Sequence, residues 1–398
     1  MEKKQIKSVI AILAMSFITL ASSATSPALA TISNNFPNAS EAAIASIATL
    51  SSLTAVPCTI LSGAIVGRKV KFRFMTLLGL AVVCIGGFIP FFANNVTEIL
   101  VGRAVLGVGS GLIAPITSTL TLSLFRGEEV AKQFSRNSMC TNLGAIFFQM
   151  LGGILCNYNW RMPFLAYLTV IPVLAIVFFL LPEPTNEELG MTAKNRDITQ
   201  VKMKDLITVH LLSWSILHAA YMLCFYPFVT GMSRIIMQGG FGDATTSALV
   251  LSVFTAMGVV GASMFSRLNK KCGKRSLTVA FMIALVGYGT LVLANSLTLI
   301  YLAATIFGFA YGVVGPAMSY YLGVGLRPDL RAPSMSVNSI FSSLGSFGAA
   351  FVMSFLRTLF GSTSDCFPFV VGIVFFAVCG MGFLFWGGNT VPSSSIEK

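Results

Sequence analysis

Long apolar stretches alternate with short polar segments along the whole of this 398-residue chain. Each stretch reaches or exceeds the roughly 20 residues that an α-helix needs to cross a bilayer. The pattern therefore predicts an all-α integral membrane protein with twelve transmembrane helices. The predicted spans lie at residues 8–31, 43–66, 74–93, 97–125, 134–156, 162–182, 206–233, 243–266, 275–295, 298–324, 333–357 and 366–388.

The second half of the chain repeats the first at an offset of 201 residues. Residues 107–144 match residues 308–345 without a gap at eleven of 38 positions, whereas composition alone would give roughly three. Six spans per copy is an even number, so the two copies have the same orientation in the membrane. We predict an N-terminal six-helix bundle over residues 1–182, a cytoplasmic linker over 183–205 and a C-terminal six-helix bundle over 206–398.

Glycines recur at the same places in both copies. Gly107 and Gly111 correspond to Gly308 and Gly312, so each copy has small residues four positions apart on one helix face. Helices in lipid associate through close backbone approach at small residues. This spacing predicts tight helix packing in both halves.

Composition and charge exclude a soluble protein and orient the chain. Hydrophobic residues make up 55% of the sequence and charged residues 10%, whereas soluble domains carry about 25% charged side chains. The net charge is +12, and 22 of the 26 lysines and arginines fall on the side of the membrane that holds the N-terminus. The positive-inside rule predicts that both termini are cytoplasmic. The basic residues are therefore explained without a nucleic-acid partner.

Three motifs carry a resemblance to a known family. Arg103, Gly107 and Gly109 form an Arg-x-x-x-Gly-x-Gly pattern, residues 27–32 read Pro-x-Leu-x-x-Ile, and residues 160–164 read Trp-Arg-x-x-Phe. These motifs resemble the major facilitator superfamily, in particular its twelve-span bacterial drug:proton antiporters. The resemblance implies the major facilitator fold, two bundles that rock about a central site, and a bacterial cytoplasmic membrane as the location.

Two departures from the family pattern affect gating and coupling. The loop after the second span usually reads Gly-x-x-x-Asp-Arg, whereas this chain has Gly63, Gly67 and Arg68, without the aspartate. Other acids could replace it by pairing with nearby basic groups, or these charges could be solvated and contribute little. The fifth span also lacks the Gly-Pro pair typical of the antiporters, which weakens that assignment. The gating candidates are Gly63, Arg68, Arg73, Glu128, Glu129, Asp329, Lys274 and Arg275.

Few ionisable groups lie inside the predicted spans. None of the fourteen acids falls in the middle of a span, so neither a buried coupling carboxylate nor a counter-charge for cations is present. Arg103 is expected to face the bundle interior, either in a structural or gating role or in contact with an anionic or carbonyl-bearing substrate. His218 lies near mid-span and is a candidate for proton coupling, or a hydrogen-bonded core residue.

Polar residues near the membrane midplane are candidate substrate contacts or contacts between helices. Comparison of the two copies singles out positions at which they differ: Arg103, Gln149, Tyr311 and His218. The full set of substrate-binding or coupling candidates is Arg103, His218, Gln149, Tyr311, Asn142, Tyr221, Asn338, Ser342, Thr19 and Ser23.

These observations predict a secondary transporter that works by alternating access and, on the resemblance, exports a small neutral or anionic amphipathic compound. The alternative is an uptake permease or an uncoupled facilitator for a sugar or small metabolite. The spans lack the residue pairs of an intramembrane enzyme and the chain lacks a nucleotide-binding loop. Its eight scattered cysteines form no CxxC pair. We expect no metal or cofactor apart from a possible coupling proton, the lipid bilayer and the small-molecule substrate as partners, and function as a monomer.

Overall fold

The computed structural model describes residues 3–67, 69–125, 128–184, 208–273, 275–324, 328–362 and 364–386. Within these ranges the chain is helical and forms no β-strand. Twelve helices in the described residues are long and apolar enough to cross a membrane. The predicted all-α fold with twelve spans is confirmed.

Nine of the twelve described spans are single α-helices, whereas the first, third and sixth each also contain a 3-10 segment. The 3-10 segments are Ala21–Ala28, Ile89–Phe92 and Met162–Thr169. The α-helices are α1 Lys3–Ile18, α2 Leu29–Asn35, α3 Glu41–Ile65, α4 Phe72–Phe88, α5 Val96–Leu124, α6 Glu128–Cys156, α7 Val170–Leu180, α8 Val209–Gln238, α9 Ala244–Cys272, α10 Arg275–Val292, α11 Leu297–Val324, α12 Pro328–Leu359 and α13 Phe367–Trp386.

The break in the first span follows from its local sequence. Residues 21–28 read Ala-Ser-Ser-Ala-Thr-Ser-Pro-Ala, and hydroxyl side chains compete with the helix for backbone groups. Ser23 Oγ donates to the Leu20 carbonyl at 2.8 Å and Thr25 Oγ1 to the Ser22 carbonyl at 3.2 Å. Eight residues is long for a 3-10 segment, and such segments within helices often mark hinges.

Glu183 ties the end of the sixth span to the start of the third. Its carboxylate accepts hydrogen bonds from the backbone amides of Phe72 at 2.6 Å and Arg73 at 3.0 Å. A carboxylate at a helix N-terminus satisfies free N–H groups and complements the helix dipole. Glu183, the first residue of the predicted linker, is thus a cap for α4.

By proximity the chain groups into two compact units, Met1–Leu249 with Pro328–Phe355 and Val250–Arg327 with Leu356–Lys398. In the first unit, Phe148 stacks on Tyr167 with ring centroids 6.3 Å apart. The core of the second unit is aromatic and includes Tyr288 against Phe307 at 4.3 Å.

The predicted division into bundles over 1–182 and 206–398 stays a prediction. Residues 185–207, which make up most of the predicted linker 183–205, lie outside the described residues.

The repeated glycines lie where two helix backbones meet. A Cβ added to Gly111 would lie 2.2 Å from the carbonyl oxygen of Ala55, and one added to Gly312 would lie 1.9 Å from that of Gly258. Real Cβ atoms do not approach backbone oxygen so closely. Both copies of the repeat therefore pack α3 on α5 and α9 on α11 without space for a side chain.

Candidate functional site

An open cleft lies within the first unit, beside the break in the first span. Its volume is about 170 Å³, and α1, the first 3-10 segment, α3, α4 and α5 all contribute to its walls. The apolar walls include Met15, Ile18, Leu20, Val83 and Ile113. The polar lining consists of hydroxyl residues: Thr19, Ser22, Ser51, Ser52 and Ser110. The lining contains no charged side chain, so its surface suits an uncharged amphipathic group.

Arg103 lies behind this wall, and its side chain is fully buried. Nε donates to the Ile47 carbonyl at 2.7 Å, Nη2 donates to the Ser22 carbonyl at 3.0 Å, and Nη1 donates to the Tyr167 hydroxyl. A buried guanidinium must have its donors satisfied. These three contacts join α5 to α3 and to the first and sixth spans. Ser22 and Tyr167 each belong to a 3-10 segment.

Thr19 and Ser23 flank the cleft on the first span. Thr19 is exposed in the cleft lining, and its Oγ1 donates to the Met15 carbonyl at 3.3 Å. Ser23 Oγ also lies 3.2 Å from the carbonyl oxygen of Ala145 on α6. Of these two candidates, Thr19 is placed where a ligand could reach it, whereas Ser23 joins the first and fifth spans.

His218 and Asn338 are brought together from positions 120 residues apart. Both are buried, and His218 Nδ1 lies 3.0 Å from Asn338 Nδ2 and 3.2 Å from Asn338 Oδ1. An amide can donate to the neutral imidazole or accept from its N–H form. Asn338 can therefore remain a partner of His218 whichever nitrogen carries the proton.

Three further candidates lie on the fifth and eleventh spans. Asn142 Nδ2 donates to the Ser138 carbonyl of its own helix at 2.8 Å. Gln149 is buried in α6, and Ser342 is half-buried in α12. None of the three belongs to the lining of the cleft described above.

The two tyrosine candidates lie in different units. Tyr221 is fully buried in α8, and its ring stacks on Phe225 at 6.2 Å. Tyr311 belongs to the second unit, where its ring lies 5.2 Å from that of Phe254.

The gating candidates are only partly described. The Arg73 guanidinium donates to the Phe178 carbonyl and lies 4.9 Å from the Phe178 ring centroid, so it contacts the end of the sixth span. Gly63 is exposed in α3, and Arg275 is exposed at the start of α10. Glu128, Glu129 and Asp329 lie in helices, but their side chains are outside the described part, as are Arg68 and Lys274 entirely. The predicted ion pairs among these groups stay predictions.

A second set of contacts joins the ends of spans on the side opposite the predicted cytoplasmic side, called here the outer side. Arg234 Nη1 lies 2.8 Å from Glu41 Oε1. Asn157 Nδ2 donates to Asp243 Oδ2 at 2.6 Å and lies 3.0 Å from Thr245 Oγ1. These contacts connect α3 to α8 and the end of α6 to the start of α9.

Hydrogen bonds favour the ionised form of the Asp243 carboxyl. Hydrogen bonds, above all from the Thr246 backbone amide and also from the side chains of Thr246 and Asn157, lower the pKa of the Asp243 carboxyl although partial burial opposes them. The Thr246 amide lies 2.8 Å from Asp243 Oδ1, which makes Asp243 the N-cap of α9.

Ser233 on α8 makes the most buried of these outer contacts. Its Oγ donates to the Pro27 carbonyl at 2.6 Å and accepts from the Ala30 amide at 3.3 Å. Neither Ser233 nor Tyr167 is among the candidates that the sequence predicts. The run of serines and threonine at 22–26 was the available signal, because hydroxyls within a span indicate irregular backbone that needs partners elsewhere.

The family model described as Major Facilitator Superfamily matches residues 11–350. MFS transporter L2 of Phoma sp. is 33% identical over 143 residues, which is 35% of this chain and 23% of that protein. The "Probable sugar efflux transporter" of Mannheimia succiniciproducens is 23% identical over 308 residues, covering 75% of this chain and 72% of that protein. Quinolone resistance protein NorA of Staphylococcus aureus is 21% identical over 304 residues, covering 72% and 73% of the two chains.

Solved structures show the same fold. The crystal structure of a bacterial homolog of the human lysosomal transporter Spinster, inward-facing and unoccupied, superposes with a TM-score of 0.74 at 15% identity, covering 99% of this chain and 100% of that one. The D-xylose-proton symporter gives a TM-score of 0.71 at 14% identity, covering 94% and 96% of the two chains. At these identities the likeness establishes the arrangement of the helices alone.

Proposed function

Because the chain belongs to the Major Facilitator Superfamily, and is therefore a multi-pass membrane transporter and not an enzyme, we propose that it exports a small neutral or anionic amphipathic organic compound. The cleft of the first unit carries this proposal, because its lining combines apolar side chains with hydroxyls and has no acidic group. A cationic compound would find no counter-charge there, whereas an anionic group could accept hydrogen bonds from the Ser and Thr hydroxyls.

The size of the cleft agrees with a small cargo. A dry apolar cavity of about 150 Å³ can hold a benzene-sized molecule, and this cleft measures about 170 Å³. One ring or an equivalent apolar group therefore fits against the first span, with Ser and Thr hydroxyls available for a few hydrogen bonds.

Support for export comes from relatives. Two proteins similar to this chain over more than 70% of its length bear names that refer to quinolone resistance and to sugar efflux. Uptake, or uncoupled facilitated diffusion, of a sugar or small metabolite is the competing function. It differs from export in the direction of transport and in the final level of accumulation.

Arg103 supports the site indirectly in this proposal. Three of its five N–H groups donate to two backbone carbonyls and a tyrosine hydroxyl, and its side chain has no exposed surface. We infer that it holds the wall of the cleft in position and leaves substrate contact to the hydroxyl residues.

If transport is coupled to protons, His218 is the group that carries the coupling in this proposal. It is a buried histidine with an amide partner that suits both protonation states. The acids of the described spans cluster at helix ends: Glu41, Glu98 and Asp243 each lie at the start of a helix.

Transport into sealed vesicles of both orientations tests the function. Everted and right-side-out vesicles would be given a quinolone, a sugar, an anionic dye and a cationic dye under imposed or collapsed pH gradients. We expect accumulation of neutral or anionic compounds in everted vesicles only. Accumulation only in right-side-out vesicles, or a preference for the cationic dye, would contradict the proposal.

Coupling is tested in the same vesicles with His218→Ala, and Ser215→Ala serves as a control for a buried polar residue on the same helix. For His218→Ala we expect that the pH gradient no longer drives accumulation of the substrate, while exchange of substrate across vesicles with a collapsed gradient is retained. Full gradient-driven accumulation in this variant would exclude His218 from coupling.

A further inference from the structure

The hydroxyl of Ser233 hydrogen-bonds to two backbone groups of the first span. It donates to the Pro27 carbonyl at 2.6 Å and accepts from the Ala30 amide at 3.3 Å, and Ser233 has no exposed surface. The two backbone groups lie where the 3-10 segment Ala21–Ala28 joins α2. Ser233 itself lies on α8, the seventh span.

The change of helix type alters the backbone partners of these two groups. In an uninterrupted α-helix the Ala30 amide would donate to the Ser26 carbonyl and the Pro27 carbonyl would accept from the fourth residue after it. Here the Leu29 amide donates to the Ser26 carbonyl in the 3-10 pattern. Backbone groups within a membrane must find partners in the protein, and the Ser233 hydroxyl is a partner for both.

The same 3-10 segment leads to the cleft. Thr19 and Leu20, just before it, and Ser22, within it, line the cleft, and the Ser22 carbonyl accepts from Arg103. The segment is therefore held at its inner end by Arg103 and at its outer end by Ser233. A change of helix type between these two points would move cleft-lining side chains.

We propose that Ser233 is a positioning residue that keeps Ala21–Ala28 in the 3-10 form while the outer side is closed, and that part of this segment becomes α-helical when α8 withdraws. Once Ser233 leaves, the α-helical pattern satisfies the two backbone groups within the first span itself. The inference requires alternating access but neither a direction of transport nor a particular substrate.

The geometric consequence can be calculated. A 3-10 helix rises about 2.0 Å and turns about 120° per residue, and an α-helix about 1.5 Å and 100°. Each three residues that convert therefore shorten the first span by about 1.5 Å and rotate its two ends relative to each other by about 60°. Conversion of the whole eight-residue segment would shorten the span by about 4 Å.

Hydrogen exchange and a distance measurement together test the proposal in the purified full-length protein. The variants are Ser233→Ala, Ser233→Thr, which keeps the hydroxyl, and Ser215→Ala. Ser215 is a matched control, because it is fully buried on the same helix and its hydroxyl has no partner among the described residues. In a cysteine-free background, spin labels at Lys7→Cys and Asn35→Cys, both exposed, report the length of the first span.

For Ser233→Ala we expect amides of residues 21–31 to exchange roughly tenfold faster, as suits the loss of a buried hydrogen-bond partner. Residues 8–18 should exchange as in the wild type. The label distances should gain a population shorter by about 1.5–4 Å. Ser233→Thr and Ser215→Ala should match the wild type in both measurements.

Several results would overturn the proposal. Unchanged exchange in residues 21–31 would show that Ser233 does not hold the segment. Faster exchange with a single wild-type distance would mean fraying without a change of helix type. Faster exchange throughout residues 8–31, or an equal effect of Ser215→Ala, would indicate general loosening of the fold. None of these readouts uses transport, so a failure of the proposed export function would be detected separately.

Discussion

Replacement of Arg103 by alanine tests whether this side chain holds three spans together. The substitution removes the donors to the Ile47 and Ser22 carbonyls and to the Tyr167 hydroxyl. Ile47 and Tyr167 have no exposed surface, so Arg103→Ala leaves a buried cavity in place of the guanidinium beside two of the three acceptors.

The magnitude follows from the number of lost contacts. Hydrogen bonds between helices in a membrane contribute about 0.6 kcal/mol on average and at most about 1.7 kcal/mol. Three such contacts give about 2–5 kcal/mol, reduced somewhat because the cost of burying a charge also disappears. Arg103→Ala should therefore lower the free energy of unfolding by about 2–4 kcal/mol.

The assay is detergent-induced unfolding in mixed micelles, followed by circular dichroism. Tyr167→Phe removes one acceptor only and should cost about 1 kcal/mol. The double variant should cost less than the sum of the two, because the arginine and the tyrosine contact each other. Arg161→Ala is the comparison: this half-buried arginine donates to the Ala93 carbonyl at 2.9 Å and lies 4.4 Å from the Trp160 ring. Its replacement should lower the free energy of unfolding by about 1–2 kcal/mol, less than that of Arg103.

The proposed role of Arg103 is refuted if the free energy of unfolding of Arg103→Ala lies within about 0.5 kcal/mol of that of the wild type. It is also refuted if the effects of Arg103→Ala and Tyr167→Phe are additive. A stable variant that has lost transport would instead indicate that Arg103 contacts the substrate. That outcome would revise the role proposed here for the hydroxyl residues.

Three further predictions concern packing, surface charge and pH. Gly312→Ala places a Cβ 1.9 Å from a backbone oxygen and should lower the free energy of unfolding by at least about 1–3 kcal/mol in the same assay. Gly315→Ala, whose Cβ would have no atom within 4 Å, should be neutral or slightly stabilising. Equal effects of the two substitutions would contradict the packing of α11. Glu41→Gln breaks an ion pair whose carboxylate side chain is half exposed, so the unfolding free energy should change by less than about 1 kcal/mol, and by less at high salt; a large salt-independent loss would show a buried role. The pKa of the Asp243 carboxyl is lower in the folded protein than in the unfolded chain, where it is about 3.9. Its stabilising effect is therefore complete above the pKa of the unfolded chain and is lost only as the pH falls through the lower pKa of the folded protein. Asp243→Ala should cost about 1 kcal/mol at every pH between 5 and 8, and a melting-temperature difference that varies across this range would refute the assignment.

The sequence could predict the fold because its signals are repeated and strong. Each span has enough apolar residues to be recognised alone, and the 201-residue offset relates the two halves. The close approach at Gly111 and Gly312 was also predictable, since small residues at spacing four have few other uses in lipid.

The candidate site was less predictable, because its contacts depend on backbone geometry. The position of Arg103 within a span indicated that it needs partners, but two of them are main-chain carbonyls, which no side-chain pattern identifies. The pairing of His218 with Asn338 depends on how α8 and α12 pack, and the sequence gives no distance between them. The cap that Glu183 provides was hidden for a similar reason, since a glutamate just after a span is typical of a solvated loop.

That cap bears on how the protein could be assembled from separate pieces. A fragment that stops before Glu183 would contain all six spans of the first half, but the amides of Phe72 and Arg73 would lack the Glu183 carboxylate as their acceptor. Co-expressed halves should reconstitute a working transporter when the break lies between residues 185 and 207, and should do so poorly when it lies a few residues earlier. The boundary of the N-terminal assembly unit is therefore set by a side chain beyond the last residue of its last helix.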